Sequence, residues 1–496
     1  MSEVEVPSRG RVRLGLALAA FFGAVLALGA LGAGVGEVAA GDPDVWWVAA
    51  AGRLGSWVAP LATNTFSFTA PDRPWVFHEH LAGPFYAFGL EHGGTSFLSM
   101  LSLVGLLGTA ALVLFAATRW QRPNAHELFA GWCLALVWCL AVGLHGMNAR
   151  VTILARLLPL GFVLLGFGER FERRHALALV GLGTIWANLH GSFPLGPVIL
   201  VAAGFEGHRR ARWATALLCG LASFVTPHGL ALHTLVYDYL VGGAATLDVV
   251  HTYVREFQPL WAVDPLTIVP ELIALVIVST IALLGLRSHP ARTWLLLALV
   301  VLATRNQRHL PLVLLLAVPL LRPVLAAWVP SWQGAVRPAL AVAFMPAFVL
   351  GGFAWLKSPA PEARGGAVVD ALVARLPEGT KLYVPIDLGG RVAWAAHPRV
   401  HVFADPRNDC YPADVLREAY ELGRPGQDPT WIRETLAARD VTHVLERAGS
   451  DVARALDAWR FVVREGEWVL LESPDAMAIN RRASGTSGPP ARRARR

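Results

Sequence analysis

The stretch GEVAAGDPDVWWVAAAGR, residues 36–53, decides how this chain is read. Asp42 and Asp44 fall just past the first long apolar run, Leu14 to Leu31, and just before a Trp pair and an amphipathic segment. A carboxylate at the edge of lipid is costly unless it is solvated, paired or at work, so such a pair points first to a functional site. Either aspartate can instead simply cap the helix that follows, since a carboxylate accepts from the orphan N–H groups of a first turn. The apolar run itself follows Arg9, Arg11 and Arg13 in the manner of a signal peptide. It is too long for a signal h-region and no cleavage site precedes the Asp pair, so it is expected to remain as a first membrane helix.

Composition extends that reading to the whole chain. Of 496 residues, 54% are hydrophobic and only 16% charged, and the mean hydropathy is +0.47. A soluble protein carries about a quarter charged residues, so most of this chain is expected in lipid. The net charge of +7 does not indicate nucleic acid, because the arginines lie in short clusters between apolar runs and in the tail. Cys133, Cys139 and Cys219 sit in apolar runs and Cys410 stands alone, which excludes a disulfide framework and a CxxC metal knuckle.

Further apolar runs follow at about 96–117, 127–145, 155–168, 176–188, 192–206, 213–226, 268–286, 293–304, 310–328 and 336–356. With the first they predict an α-helical polytopic membrane domain over residues 1–356, of about eleven transmembrane helices. Arginine clusters at 119 and 122, 170–174, 209–212, 287 and 292, and 322 and 337 fall in alternate loops. The positive-inside rule assigns that side to the cytoplasm. The long loop 40–95, the loop 227–267 and everything after Leu356 then face outward from a bacterial plasma membrane.

Residues 357–480 differ in character and predict a small outer-side α/β domain. KLYVPIDLGG, RVHVFADPRND, VTHVLERA and WRFVVREGEWVLLES read as β-runs, and PADVLREAYELG and PTWIRETLAARD as amphipathic helices. The basic, Gly/Pro-rich residues 481–496 read as a disordered tail.

On the outer side fall polar groups that loop length does not explain: His78, Glu79 and His80 in WVFHEHLAGPF, Arg150 and Arg156 in NARVTILAR, Asn188 and His190 in NLHGSF, and Arg305, Arg308 and His309 in RNQRHLP. Each cluster abuts an apolar run, which implies a polar cavity at the outer interface. Asp44 is the candidate general base for an acceptor hydroxyl or amine, with Asp42 as second acid or orienting group. Arg305 and Arg308, three apart on one helix face, suit a phosphate that guanidiniums can fork, with His309 as a further donor; snorkelling to headgroups is the alternative. The HEH triplet lacks the HExxH spacing of a zinc site and reads as cavity wall, so a divalent cation has no specific motif behind it. His190 is either a buried structural imidazole or a substrate contact. Asp405 and Arg407 in FADPRNDCY either cover the cavity and touch substrate or merely hold a turn.

On DPDVWWVAAAGRL, NTFSFTAPDRPWVFHEHLA, NLHGSF, RNQRHLP and VFADPRNDCY, over nearly the whole length, the chain resembles the GT-C superfamily of polytopic glycosyltransferases. It is most similar to the bacterial branch near the protein mannosyltransferases and the lipopolysaccharide core galacturonosyltransferases. The resemblance implies an inverting transfer of a sugar from a polyprenyl-phosphate donor, a membrane lipid, to an envelope acceptor of unknown identity, with the acid past the first helix acting on the acceptor. This chain departs from the family pattern at Val48, where a His is usual, at His80, where a Trp is usual, and at Pro406, where a Gly is usual. Two other classes compete: a transporter or lipid flippase, and a non-catalytic envelope scaffold. The one-sided clustering of polar groups and the lack of an inverted repeat favour the enzyme.

Overall fold

The structure, a computed structural model, describes residues 42–118, 130, 134, 150–242, 246–328 and 366–476. The first apolar run, those at 127–145 and 336–356, the boundary at 356, and the basic tail lie outside or largely outside the described residues.

The chain is mostly helical with one small sheet. Helix α1 (Pro43–Leu54) starts because Asp42 accepts a hydrogen bond from the Asp44 backbone N–H at 3.0 Å and Pro43 presets the first φ. Then come α2 (Gly83–Thr118), broken at Gly94, α3 (Val151–Gly166), α4 (Arg173–Leu189), α5 (Leu195–Gly204) and α6 (Arg209–Ala222). Helices α7 (Leu230–Val241), α8 (Leu247–Tyr253), α9 (Val269–Gly285), α10 (Pro290–Arg305) and α11 (Leu310–Trp328) complete the helical part. Helix α11 is its axis: Val313 to Val318, Leu320, Leu321 and Val324 are all buried, and the helix packs on α2, α3, α9 and α10. Large apolar side chains on α6, α7, α9 and α10, among them Leu217, Leu221, Leu240, Val276 and Trp294, point outward.

Among the described residues one helix, Gln307–Ala327, is long and apolar enough to cross a membrane, with a hydropathy of 2.2. Four shorter apolar helices, Ala155–Gly166, Leu195–Gly204, Leu230–Val241 and Glu271–Gly285, accompany it. Helices α2 to α6 and α9 to α11 coincide with apolar runs. The segment 227–267, expected as a loop, instead folds into α7, α8 and three short 3-10 turns.

The C-terminal part comprises α12 (Gly366–Val373), β1 (Thr380–Tyr383), α13 (Ile386–Ala396), β2 (Val400–Val402), α14 (Ala413–Leu422), α15 (Pro429–Ala438), β3 (His443–Arg447), α16 (Asp451–Ala455), β4 (Arg460–Glu465) and β5 (Trp468–Glu472). Strand order is β2-β1-β3-β5-β4, parallel across β2, β1 and β3 and antiparallel where β5 meets β3 and β4. IDLGG, expected to continue a β-run, opens α13 instead. Its glycines explain the position. A Cβ at Gly389 would meet the Ala404 carbonyl at 2.2 Å, and one at Gly390 would meet the Trp47 backbone nitrogen at 3.0 Å, so only glycines let α13 lie against both α1 and the strand β2 exit.

That contact corrects the reading of residues 45–52. Helix α1 is not amphipathic in use: Val45 through Gly52 are buried on every side, between α2 and α13. The Trp pair does not sit at a lipid interface. Trp47 packs edge-on against Trp75 and Phe77, and Trp46 lies under the Arg391 guanidinium. One apolar core thus joins α1, the loop residues Phe66 to Ala82, α14 and α15. The loop is also stitched to the sheet: Val402 N–H donates to Phe66 O at 2.9 Å, and Ser67 Oγ donates to Phe403 O at 2.8 Å.

Candidate functional site

Arg150 is the hub of the site. It precedes α3 in extended conformation, which leaves its side chain free of the helix and aimed at the start of α1. Its Nε lies 2.6–2.8 Å from the Asp42 carboxylate, its Nη2 3.1 Å from Asp44 and its Nη1 2.8 Å from Glu256. One guanidinium therefore spends all its fork geometry on three carboxylates from three separate segments.

The two aspartates divide the roles that the sequence left open between them. Asp42 is 2% exposed, caps α1 and is paired with Arg150. Asp44 keeps 29% of its side chain accessible and also accepts from Trp47 Nε1 at 3.0 Å. Burial pushes the Asp44 carboxyl up to about 6 against the pull of Arg150, with Asp42 and Glu256 adding to the rise. At pH 7 it remains about ten-to-one ionised, which a general base needs, and it is more basic than an ordinary aspartate.

The HEH triplet is a turn, not a helix, pinned by Leu81 N–H donating to Asn188 O at 3.1 Å. Glu79 is buried, and burial together with the nearby Asp44 charge pushes its carboxyl up to about 8, opposed by Arg150 and Arg308. It is a neutral acid at pH 7. His78 lies 3.9 Å from Glu79 and edge-on to His190, and burial lowers the pKa of both imidazoles. The Ser192 backbone N–H donates to His190 Nδ1 at 3.1 Å, so the neutral ring carries its proton on Nε2. His80 is buried against His228 and held down to about 4 by burial and that neighbour. Asn188 donates its amide to Thr184 O and Val225 O, each at 2.8 Å, and its side chain also hydrogen-bonds His80 on the turn.

The paired-arginine expectation needs correction. Helix α10 ends at Arg305, Asn306 is extended, and residues 307–309 form a 3-10 turn before α11, so Arg305 and Arg308 do not share a helix face. Arg305 is exposed. Arg308 instead lies over the Phe257 ring at 4.3 Å and acts electrostatically on His78, Glu79, His190 and Glu256. Arg156 acts on Glu256 and His190, and His309 on His190, so both belong to the same polar interior.

Asp405 and Arg407 hold the turn, one of the two alternatives that the sequence left open. Both side chains are fully buried. Asp405 accepts from Arg407 Nε and Nη2 and from the Tyr411 hydroxyl, each at 2.7 Å, while Arg407 Nη2 also donates to Asn64 at 2.7 Å. The guanidinium is sandwiched at 4.6 Å between Phe66 and Trp75. This pair clamps the 405–411 turn to the segment that carries Asn64, Phe66 and Trp75. From the same turn Asp409, not Arg407, acts on His78.

The sequence reading missed Glu256, Asp387 and Tyr420. Glu256 is held below its ordinary range: burial would raise it, but Arg150, Arg308 and Arg156 outweigh burial. Asp387, in the first turn of α13, and Tyr420, on α14, sense Asp42 and Asp44 respectively. The only signal for Glu256 was a lone acid in REFQPLW, between Arg255 and Phe257. Among the described residues no three His, Cys, Asp or Glu are grouped as metal ligands.

No protein-family model matches the sequence, and no curated protein does. Solved structures do. The oligosaccharyltransferase of Archaeoglobus fulgidus in its apo form aligns over 86% of this chain and 69% of its own, with a TM-score of 0.54 and 12% identity. The same archaeal protein, AglB, in complex with an inhibitory peptide and a dolichol-phosphate, aligns over the same shares at TM-score 0.51 and 11% identity. ArnT from Cupriavidus metallidurans, bound to undecaprenyl phosphate, aligns over 94% of this chain and 98% of its own, with TM-score 0.54 and 14% identity. This chain shares the fold of these solved structures.

Proposed function

We propose that the protein is a membrane glycosyltransferase that moves a sugar from a polyprenyl-phosphate donor to an acceptor on the outer face of a bacterial plasma membrane, with inversion. The observation that carries this reading is the union, in one polar interior, of a partly exposed and unusually basic carboxylate, Asp44, with a guanidinium, Arg308, that lies on the Phe257 ring and forms no ion pair among the described residues. Asp44 deprotonates the acceptor hydroxyl or amine as it attacks the anomeric carbon. Arg308, with Arg156 and the neutral imidazoles of His190 and His309 nearby, receives the phosphate that leaves on the lipid. Glu79, neutral at pH 7, is placed to give that phosphate a proton. The likeness to ArnT bound to undecaprenyl phosphate and to AglB bound to dolichol-phosphate supports the choice of a polyprenyl-phosphate donor.

The test is Asp44→Asn in purified protein with a panel of polyprenyl-phosphate sugars and envelope extracts. Loss of a general base costs roughly 10²–10⁴ in rate, while the amide keeps the Trp47 bond and the fold. Transfer at the wild-type rate in this variant refutes the assignment. Reporter fusions after Ala70 and after Ala363, active only outside the cytoplasm, test the sidedness.

A further inference from the structure

Glu256 reaches the site from a 3-10 turn, Arg255–Phe257, in the segment between α8 and α9. The turn is held from both sides. Gln307 donates through its side chain to Arg255 O at 2.5 Å and through its backbone to Gln258 O at 3.3 Å, and Phe257 carries the Arg308 guanidinium on its face. The Glu256 carboxylate is thereby presented to Arg150 at a fixed place, 2.8 Å from Nη1. Arg150 then has one arm on Asp42, one on Asp44 and one on Glu256.

We infer that Glu256 is a positioning residue for Asp44: by holding one arm of Arg150 it fixes where that guanidinium lies and limits how fully it neutralises the base. The inference rests on the glycosyltransferase reading for its kinetic part and on geometry for the rest. A guanidinium relieved of Glu256 turns its whole charge to the two aspartates, and the direct repulsion between Glu256 and Asp44 disappears with it. Both changes make Asp44 a weaker base, so they do not cancel. The groups facing Asp44 from the elements around it are Asp42 and Trp47 on α1, Arg150 before α3, Glu79 on the HEH turn, Glu256 itself, and Tyr420 on α14, with Asp387 of α13 beside Asp42. Of the carboxylates among these, Glu256 and Asp42 bond Arg150 along with Asp44, and only Glu256 does so from outside α1 and its cap.

The experiment compares full-length wild type, Glu256→Gln, Glu256→Asp and Asp44→Asn by the pH dependence of transfer and, independently, by the pH at which a carbodiimide labels Asp44, read by peptide mass spectrometry. Glu256→Gln should lower kcat about ten- to a hundredfold, leave the donor KM within about twofold, and move both the acid limb and the labelling midpoint to lower pH. Glu256→Asp should restore part of each. If Asp44→Asn is inactive while Glu256→Gln keeps the wild-type rate and acid limb, the inference is overturned and the function survives. If Asp44→Asn retains full transfer, the function fails, and an unmoved Asp44 labelling midpoint in Glu256→Gln overturns the positioning claim as well.

Discussion

Replacing Arg150 by methionine tests the hub directly, because Arg150 is the main counterweight to burial at Asp44. An arginine beside an aspartate typically lowers its pKa by roughly one to three pH units. Returning one of these to Asp44, now at about 6, leaves it half protonated at pH 7; returning three leaves about one molecule in a hundred ionised. Sugar transfer at pH 7 should therefore fall by roughly two- to a hundredfold, and the acid limb of the profile should move to higher pH. Raising the pH should recover part of the lost rate, which a misfolded or vacant site would not do. Stability should fall too, by about 3–5 kcal/mol, since Asp42 is left as a buried carboxylate without its guanidinium. Arg150→Lys separates the two effects: it keeps a charge near Asp44, and so most of the acid limb, but one ammonium cannot span three carboxylates. The assay is kcat against pH in detergent or nanodiscs beside thermal melting of the same samples. A folded Arg150→Met protein whose acid limb stays in place, or moves to lower pH, refutes the electrostatic account of Asp44.

Other outcomes follow from the same geometry. Glu79 has a folded value raised from 4.5 to about 8, so the stability it contributes is full below pH 4.5 and is lost as pH rises through 8; Glu79→Gln should flatten that part of a melting-temperature profile and stabilise the protein above pH 8. Arg308→Ala should cost roughly 1.5–3 kcal/mol of charged hydrogen bonding, about ten- to a hundredfold in donor kcat/KM, whereas Arg305→Ala, at an exposed position, should stay within about twofold; unchanged kinetics in both variants would return both arginines to the role of membrane anchors. Arg407→Met should lose about 3–5 kcal/mol by stranding the buried Asp405 and expose the Asn64–Trp75 segment to protease, with an unchanged donor KM in whatever protein remains folded.

Helix positions were legible in the chain because burying apolar runs leaves the backbone no choice but to bond to itself. The runs 155–168, 176–188 and 310–328 accordingly coincide with α3, α4 and α11. Legible too was the stretch 42–44, because an aspartate before a proline and an apolar run is both a cap and an available carboxylate. The split between Asp42 and Asp44 was not legible, since it depends on Arg150, more than a hundred residues away, reaching one carboxylate from behind and the other from the side. Nor could spacing reveal that Arg305 and Arg308 part company: Asn306 leaves the helix there, and Phe257, from a distant turn, draws Arg308 inward. Glu256 had no motif at all; only folding of the 227–267 segment into α8 and its 3-10 turn carries it to Arg150. By itself the sequence determined that most of its long apolar runs are helical and which polar residue types abut them, because hydrophobic burial and backbone pairing act locally. Which carboxylate caps α1, which stays partly exposed and which shares the guanidinium between them was decided by tertiary structure alone, because a charge takes its pKa from the whole set of neighbours that packing assembles around it.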